Sequence, residues 1–152
     1  DACHQHFITQ VTLCDFGLSK KLLEDAGYYN NGDLRKLPWP WTDPHSMYTG
    51  RFDYKSDVWS LGVTFWEILT KGGDPYVEER KTMQLVRLID EIRHGRLQLK
   101  LPRDCHQEGR TVVNACLCLD RKKRPTAYQI RELAKTIYTN HYGRRVNLEE
   151  LV

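Results

Sequence analysis

The residues with the clearest chemical potential are Asp15-Phe16-Gly17, near the start of a chain of 152 residues. An alternating apolar segment, residues 6–14, precedes them and predicts a short strand or hairpin that ends beside the aspartate. A carboxylate presented in this way is a candidate Mg²⁺ ligand in a phosphoryl-transfer site. Such a site also needs a glycine-rich phosphate-binding loop and a lysine, and we find neither before Asp15.

Composition and charge exclude several classes of protein. The chain is 40% hydrophobic and 28% charged, as is ordinary for a globular domain. The net charge of +3 and the lack of a basic stripe with interleaved aromatic residues argue against nucleic-acid binding. No apolar run reaches the length of a membrane span, so we expect no membrane contact from this segment. The basic cluster at residues 121–124 is interpreted as a solvated turn rather than a targeting signal.

The five cysteines have no framework spacing, and Cys116 and Cys118 have no second pair to complete a zinc site. We therefore expect reduced thiols and a cytoplasmic location. Cys14 is interpreted as a buried small residue rather than a reactive thiol, because no cation stands beside it to activate the sulfur.

The elements that must position these residues begin with a long loop over residues 22–42, which exposes Tyr28 and Tyr29. Residues 57–70 are apolar on nearly every face and predict a helix that is buried all round. Asp57 at its start favours the positive end of the helix dipole.

Three further helices are predicted over residues 81–94, 108–119 and 126–138, which makes the fold class mainly α. Gly95 follows the first of them as its C-terminal cap, and Thr126 and Gln129 have the spacing of a capping box. We expect the following residues to face the core: Met83, Val86, Ile89, Ile92, Val112, Val113, Cys116, Ile130, Leu133 and Ile137. Residues from 140 onward are expected to form a mobile tail.

Four motifs stand in order: residues 15–17, the Leu-Pro-x-x-Trp segment at 37–41, residues 50–76, and the Arg-Pro signature at 120–126. In this order and spacing they resemble the C-terminal lobe of a protein kinase, specifically of a tyrosine kinase. The resemblance covers nearly the whole chain. It implies an incomplete kinase domain over residues 1–139, mainly helical with a short β-hairpin at the N-terminus. The activation segment would span residues 15–45, followed by a C-terminal tail over residues 140–152.

The resemblance implies a role for each matched residue near the nucleotide. Asp15 would ligate the Mg²⁺ that bridges the ATP phosphates. Phe16 would pack beneath the site, and Gly17 would permit the backbone to flip between active and inactive settings. Tyr28 and Tyr29 would be autophosphorylation sites that order the loop. The catalytic base would lie upstream, so that no catalytic residue is expected in this chain.

The resemblance also implies structural and substrate-binding roles. Pro38 and Trp41 would form the platform on which a substrate tyrosine ring rests. Asp57 would hold the backbone of the catalytic loop, and Arg124 would anchor the end of the activation segment.

The sequence departs from the family at informative positions. His45 stands where the family has a glutamate that pairs with the arginine matched by Arg124, and a neutral histidine cannot replace it. We hypothesise that Asp43 supplies the missing carboxylate. Ala2 falls where the second metal ligand, an asparagine, is expected. Leu117 replaces a tryptophan.

Three functions remain open. The first is the C-terminal lobe of a tyrosine kinase, either receptor or cytosolic, that transfers the γ-phosphate of ATP to tyrosine in protein substrates; the 152-residue chain alone would be inactive. The second is a pseudokinase scaffold that binds partners without catalysis. The third is a helical interaction domain unrelated to kinases, against which the ordered motifs argue.

Overall fold

The computed structural model describes residues 11–22, 27–30 and 37–142. Within these residues, single-turn 3₁₀ helices lie at Phe16–Leu18, Trp39–Trp41 and Arg121–Lys123. The α-helices of this described part are α1 (Pro44–Thr49), α2 (Tyr54–Leu69), α3 (Glu79–Thr82), α4 (Leu85–Arg93), α5 (Gln107–Cys116) and α6 (Ala127–Tyr142). The predicted mainly α class is therefore confirmed.

Two short strands, β1 (Tyr29–Asn30) and β2 (Arg51–Phe52), form an antiparallel pair. This pair connects the described part of the long loop to the segment between α1 and α2. Tyr29 lies opposite Phe52, and their ring centroids are 5.4 Å apart. Tyr28 and Tyr29 are thus half-buried rather than exposed, which corrects the sequence-based expectation. The reason is that pairing with β2 covers one side of this segment.

The strand predicted over residues 6–14 is absent from its described part, residues 11–14. Val11 and Leu13 are 88% and 81% exposed, so no described residue covers their apolar side chains. Without a paired strand or a covering layer, an alternating pattern does not form a β-strand. Residues 6–10 lie outside the described part of the chain.

Helix α2 begins three residues before its predicted start because a capping box precedes it. The Asp53 carboxylate accepts hydrogen bonds from the backbone N–H groups of Lys55 at 2.8 Å and Ser56 at 3.1 Å. In return, the Ser56 hydroxyl accepts from the backbone N–H of Asp53 at 3.2 Å. Asp57 lies in the first turn, as expected. The cap satisfies amide groups that the helix leaves without partners.

Helix α2 is central but not buried on every side. Trp59, Val63 and Trp66 are buried in the core. Thr64 and Ile68 are exposed, and so is Asp57. The sequence predicted a helix buried on all sides because apolar residues such as Ile68 occur on nearly every face. Ile68 is nevertheless 64% exposed, because no described residue covers its side of the helix.

The helix predicted over residues 81–94 is two helices, α3 and α4, separated at the extended residue Met83. Leu88 and Ile92 are four residues apart, so they share one face of α4, and both are buried, which confirms the prediction for Ile92. Val86, also predicted to face the core, lies off this face and is 81% exposed. Gly95 follows α4 with φ +72°, a conformation that favours glycine, and confirms the predicted C-terminal cap.

Helices α5 and α6 complete the lobe. Val112, Val113 and Cys116 are buried, as predicted. A Cβ atom at Gly62 would lie 2.6 Å from the Cβ of Cys116, so α2 and α5 approach each other closely at this glycine. Ile130 is also buried, and Leu133 and Ile137 pack on the same cluster as expected.

The predicted capping box of α6 is present, with Thr126 N–H donating to Gln129 Oε1 at 2.8 Å and Gln129 N–H donating to Thr126 Oγ1 at 3.2 Å. The helix continues to Tyr142, three residues into the predicted tail, whose remainder lies outside the described residues. None of the helices described in residues 11–142 combines the length and apolar character that a membrane span requires.

Candidate functional site

A buried ion pair joins the start of α1 to the turn before α6. Asp43 is 0% exposed and Arg124 is 2% exposed, and Arg124 Nη2 lies 3.1 Å from Asp43 Oδ1. The other guanidinium nitrogens donate to backbone carbonyls, Nε to Cys118 at 2.7 Å and Nη1 to Lys55 at 2.9 Å. The guanidinium also stacks 4.8 Å from the centroid of the Trp59 ring. Every polar atom of this buried cation therefore has a partner, as such burial requires.

The second oxygen of Asp43 extends the ion pair into a network. It accepts from Ser46 Oγ at 3.1 Å and lies 3.4 Å from Arg121 Nε. The Ser46 and Ser56 hydroxyls are 2.7 Å apart. Arg121 Nη2 donates to Asp53 Oδ1 at 2.6 Å. Two aspartates and two arginines thus balance their charges around the starts of α1 and α2.

His45 lies in the first turn of α1, and its backbone N–H donates to Asp43 Oδ1 at 3.2 Å. Burial lowers the pKa of its imidazole, and Arg121, Arg124 and Arg93 lower it further, against the opposing charge of Asp43. The side chain is therefore neutral near pH 7 and unable to pair with an arginine as a glutamate would. The carboxylate that contacts Arg124 belongs to Asp43, as hypothesised; that this pair anchors the activation segment stays a prediction.

The interpretation of residues 121–124 as a solvated turn is wrong for two of its members. Lys122 and Lys123 are exposed, but Arg124 is buried and the side chain of Arg121 is only 18% exposed. The arginines point inward because buried carboxylates face them. Sequence reasoning also missed Asp53 and the serines Ser46 and Ser56. An aspartate three residues before a serine at a helix start was the signal that could have found the cap.

The proposed substrate platform is held against α2. Trp41 is half-buried, and its Nε1–H donates to Glu67 Oε2 at 3.1 Å. Trp39 stacks on Tyr76 with a centroid separation of 6.3 Å. Pro38 is exposed at the start of the 3₁₀ turn. Pro38 is therefore exposed to solvent beside two tryptophans whose side chains are held by these contacts.

Asp15 adopts a left-handed conformation with φ 60°, which aspartate tolerates better than most residues. It lines a cleft of about 290 Å³ together with Asp53, Asp57 and Tyr29. Although Asp57 is exposed as a residue, its carboxyl group is partly desolvated, which raises its pKa, and the nearby charge of Asp53 raises it further. The structure thus brings Asp15 and Asp57, predicted from separate motifs, to one cleft.

Phe16 is 63% exposed, contrary to the expectation that its ring packs beneath a site. Within the described residues no apolar cluster includes this ring. Gly17 is not in the left-handed region; a Cβ atom there would lie 3.4 Å from Asp15 Oδ1. The backbone flip attributed to Gly17 stays a prediction.

A magnesium site is not complete in the described part of the chain. No group of three or more histidine, cysteine, aspartate or glutamate side chains there has the arrangement to hold a metal ion. Asp15 supplies one carboxylate, and Ala2 lies outside the described residues. The described residues therefore do not fit a bound Mg²⁺ by themselves, and the metal role of Asp15 stays a prediction.

The twin tyrosines have different surroundings. The Arg51 guanidinium lies 4.8 Å from the centroid of the Tyr28 ring. Tyr29 packs on Phe52, and burial together with the charge of Asp57 raises the pKa of its hydroxyl.

The thiols also differ. Cys14 is exposed, so its interpretation as a buried residue is wrong; the segment around it has no cover among the described residues. Cys116 is buried, and this burial raises the pKa of its thiol to about 11.

Comparison with known proteins agrees with the motifs. The family described as protein tyrosine and serine/threonine kinase matches residues 5–133. The chain belongs to this kinase family. It is 38% identical to tyrosine-protein kinase Mer of Mus musculus over 121 residues, which are 80% of this chain and 12% of that protein. It is 36% identical to the receptor TYRO3 of Mus musculus, over 76% of this chain and 12% of that protein.

A third relative is the transforming protein RYK of avian retrovirus RPL30, a tyrosine kinase that is 36% identical over 80% of this chain and 26% of its own length. The kinase relatives are thus tyrosine kinases, and the chain spans about an eighth to a quarter of their lengths. The matched range includes Asp15, the platform, and the Asp43–Arg124 pair. The tyrosine-kinase assignment and the incomplete kinase fold are therefore confirmed.

Proposed function

We propose that the protein containing this chain is a protein-tyrosine kinase that transfers the γ-phosphate of ATP, as its Mg²⁺ complex, to tyrosine residues of protein substrates. The observation that carries the proposal is the kinase-family match over residues 5–133, with tyrosine kinases among the relatives. The reaction uses cytoplasmic ATP, so the chain would work in a cytosolic kinase or on the inner side of a receptor.

The chain would contribute positioning rather than the chemical step. The Asp43–Arg124 pair fixes the base of α1, directly after the 3₁₀ turn that carries Trp41. Trp41 is held by Glu67, so that Pro38 and Trp41 present a stable surface to a substrate tyrosine ring. Holding a reactant in place accounts for much of the catalysis in phosphoryl transfer.

The roles of the remaining site residues belong to the same proposal. Asp15 would be a metal ligand, and Asp57, in the same cleft, would support the backbone of the catalytic loop. Tyr28 and Tyr29 would accept regulatory phosphates. Phosphates at this position bring roughly −1.5 to −2 charges each beside Arg51.

The 152-residue chain alone is proposed to be inactive, because its sequence contains no His-Arg-Asp catalytic loop and no glycine-rich phosphate loop. A pseudokinase scaffold is the second candidate. The neutral His45 in place of a glutamate and Ala2 in place of a metal ligand favour it.

The test is a transfer assay on the natural protein, isolated from its source with an antibody raised against this chain. With Mg²⁺, labelled ATP and a glutamate–tyrosine copolymer, the kinase proposal predicts label on tyrosine. Recombinant protein with Asp15→Asn should lose the transfer, while Asp74→Asn, at an exposed ion pair with Arg80, should retain it. Binding of partners without any transfer by the unaltered protein would support the scaffold instead.

The inactivity of the chain alone has a separate test. The purified 152-residue chain should neither transfer phosphate nor change its melting temperature with Mg²⁺-ATP. A melting temperature that rises with Mg²⁺-ATP would contradict this part of the proposal.

A further inference from the structure

Tyr48 of α1 and Arg93 of α4 are in contact where these two helices pack on each other. The Arg93 guanidinium lies over the Tyr48 ring, 4.2 Å from its centroid. Burial, the charge of Arg121 and the charge of Arg93 all lower the pKa of His45, which lies three residues before Tyr48 in α1. The Arg93 cation therefore faces α1 as well as its own helix. Neither Tyr48 nor Arg93 lines the Asp15 cleft.

Arg93 has a hydrogen-bond donor that the described residues leave unused. Its Nε is buried, and it is the one buried side-chain nitrogen or oxygen among the described residues without a hydrogen-bond partner. Its Nη2 lies 3.1 Å from an Asp90 oxygen, but the same carboxylate also contacts Arg96 at 2.8 Å and His94 at 3.2 Å. A buried donor without an acceptor carries a free-energy cost, so a further acceptor beside Arg93 would be favoured.

Tyr48 is placed to carry such an acceptor. The residue is 67% exposed, so an enzyme can reach its hydroxyl, while its ring stays in contact with the guanidinium. A phosphate on this hydroxyl adds roughly −1.5 to −2 charges and three acceptor oxygens beside Arg93. Because a guanidinium binds phosphate through two parallel N–H···O bonds, the unused Nε–H can supply one of them.

The other exposed tyrosines described lack this combination. Tyr54 is 55% exposed, and the cation over its ring is Lys55, whose ammonium already donates to the Arg124 carbonyl. An ammonium is also unable to make the bidentate contact of a guanidinium. Tyr128 is 67% exposed, as Tyr48 is, but no described cation lies over its ring.

From these observations we propose that Tyr48 is a phosphorylation site, and that its phosphate binds the Arg93 guanidinium and clamps α1 to α4. In the modification, the Tyr48 phenol oxygen bonds to the γ-phosphorus of ATP held by a tyrosine kinase. The bond from this phosphorus to the β,γ-bridging oxygen breaks, ADP leaves with the electron pair, and the phenol proton passes to a base of that kinase. Any tyrosine kinase can act as the donor enzyme, so the inference does not rest on the proposed activity of this protein.

The clamp joins two elements that support Trp41. Helix α1 follows the 3₁₀ turn that carries this residue. On the other side, Leu88 and Ile92 of α4 belong to the core cluster on which Trp41 packs. The effect of the clamp on stability is therefore measurable without an assay of catalysis.

The first experiment asks whether the natural protein carries phosphate on Tyr48. The protein is isolated from its source with tyrosine phosphatases inhibited, digested with trypsin and analysed by mass spectrometry. Trypsin releases residues 37–51 as one peptide, in which Tyr48 is the only tyrosine. We expect a fraction of this peptide to carry phosphate, with fragmentation placing the phosphate on the tyrosine.

The second experiment tests the contact with Arg93 in the 152-residue chain, with phosphate installed on Tyr48 during translation. ³¹P NMR follows the ionisation of this phosphate as the pH is changed. Arg93→Gln should raise the midpoint of the titration by about 0.5, because a partly exposed ion pair favours the charged phosphate by that much. Arg93→Lys keeps the charge but lacks Nε, so its midpoint should lie between the two.

The matched control is Arg87→Gln, which removes the same charge from an exposed residue of α4 that does not contact the Tyr48 ring. It should leave the midpoint unchanged. A second control carries the phosphate on Tyr128, where Arg93→Gln should have no effect. Phosphate on Tyr48 should also raise the melting temperature by about 1–3 °C, and Arg93→Gln should abolish this rise. Circular dichroism reports folding, and Arg93→Lys carries the comparison if Arg93→Gln does not fold.

Three results would overturn the inference. They are a Tyr48 peptide found only without phosphate, a midpoint that Arg93→Gln leaves unchanged, and an equal change of the midpoint in Arg87→Gln. A melting temperature that the phosphate leaves unchanged would refute the clamp. None of these results depends on whether this protein transfers phosphate, so the two proposals fail separately.

Discussion

Replacing Asp43 by asparagine tests whether the buried ion pair holds the lobe together. The substitution preserves shape but removes the charge of a carboxylate that is 0% exposed, beside Arg124, which is 2% exposed. Removing one partner of such a pair leaves a desolvated cation and costs about 3–5 kcal/mol. We expect about 3 kcal/mol for Asp43→Asn, because its one amide oxygen can still accept from either Ser46 or the His45 N–H, which contact different carboxylate oxygens of Asp43.

The assay is urea-induced unfolding of the 152-residue chain, followed by tryptophan fluorescence. A domain is stable by about 5–15 kcal/mol, so the expected loss is a large fraction of the total. At about 2–4 °C for each kcal/mol, the melting temperature should fall by roughly 6–12 °C. Asp43→Ala should cost more, since it also removes the hydrogen bonds to Ser46 and His45.

The matched control is Asp74→Asn, the same chemical change at an exposed ion pair with Arg80. It should alter the free energy of unfolding by less than about 0.5 kcal/mol. Adding His45→Glu to Asp43→Asn returns a carboxylate to the first turn of α1 and should recover at least about 1 kcal/mol. If Asp43→Asn costs no more than the Asp74 control, the pair does not hold the lobe, and the reasoning is refuted.

Three further predictions concern pH, thiol reactivity and capping. Because the folded state lowers the pKa of His45, the unfolded chain binds more protons below about pH 6.5. Stability from this residue should therefore be lost as the pH falls, and urea titrations at pH 7 and 5.5 should show a smaller decrease for His45→Gln. An aromatic disulfide reagent should modify exposed Cys14 at once in the native chain. It should modify Cys116, whose pKa is raised to about 11, only after urea is added, and mass spectrometry of the labelled peptides checks both. Asp53→Ala removes the cap of α2 and a partner of Arg121, so it should cost more than the roughly 1 kcal/mol of a cap alone, as measured by urea unfolding; a smaller loss would contradict the network.

Local signals were sufficient for much of this fold. The capping box at Thr126 and Gln129, the glycine after α4, and the burial of Val112 and Val113 follow from interactions within a few residues. Such features depend on backbone hydrogen bonding and helical period, which residue type and spacing in the sequence indicate directly. The order of motifs likewise identified the kinase family before any contact was known.

The same local reasoning failed where contacts with residues elsewhere in the chain determine burial and strand pairing. Val86 and Leu88 lie two residues apart in α4, and the packing of this helix on the core cluster determines that Leu88 is buried and Val86 exposed. Tyr29 is half-buried because β2 pairs with it from more than twenty positions away. The strand predicted over residues 6–14 needs a partner strand, and its described part, residues 11–14, has none among the described residues.

The sequence by itself determined the family, the helical class and the missing glutamate at His45. It could suggest Asp43 as a replacement, because charge must be balanced when an arginine is buried. Only the tertiary structure decided that Asp43 contacts Arg124 and that Arg121 joins them, since these residues meet across about eighty positions of chain. It also decided that a cavity lies beside Tyr76 and Leu117, because space between side chains is a property of packed helices and their turns rather than of any one segment.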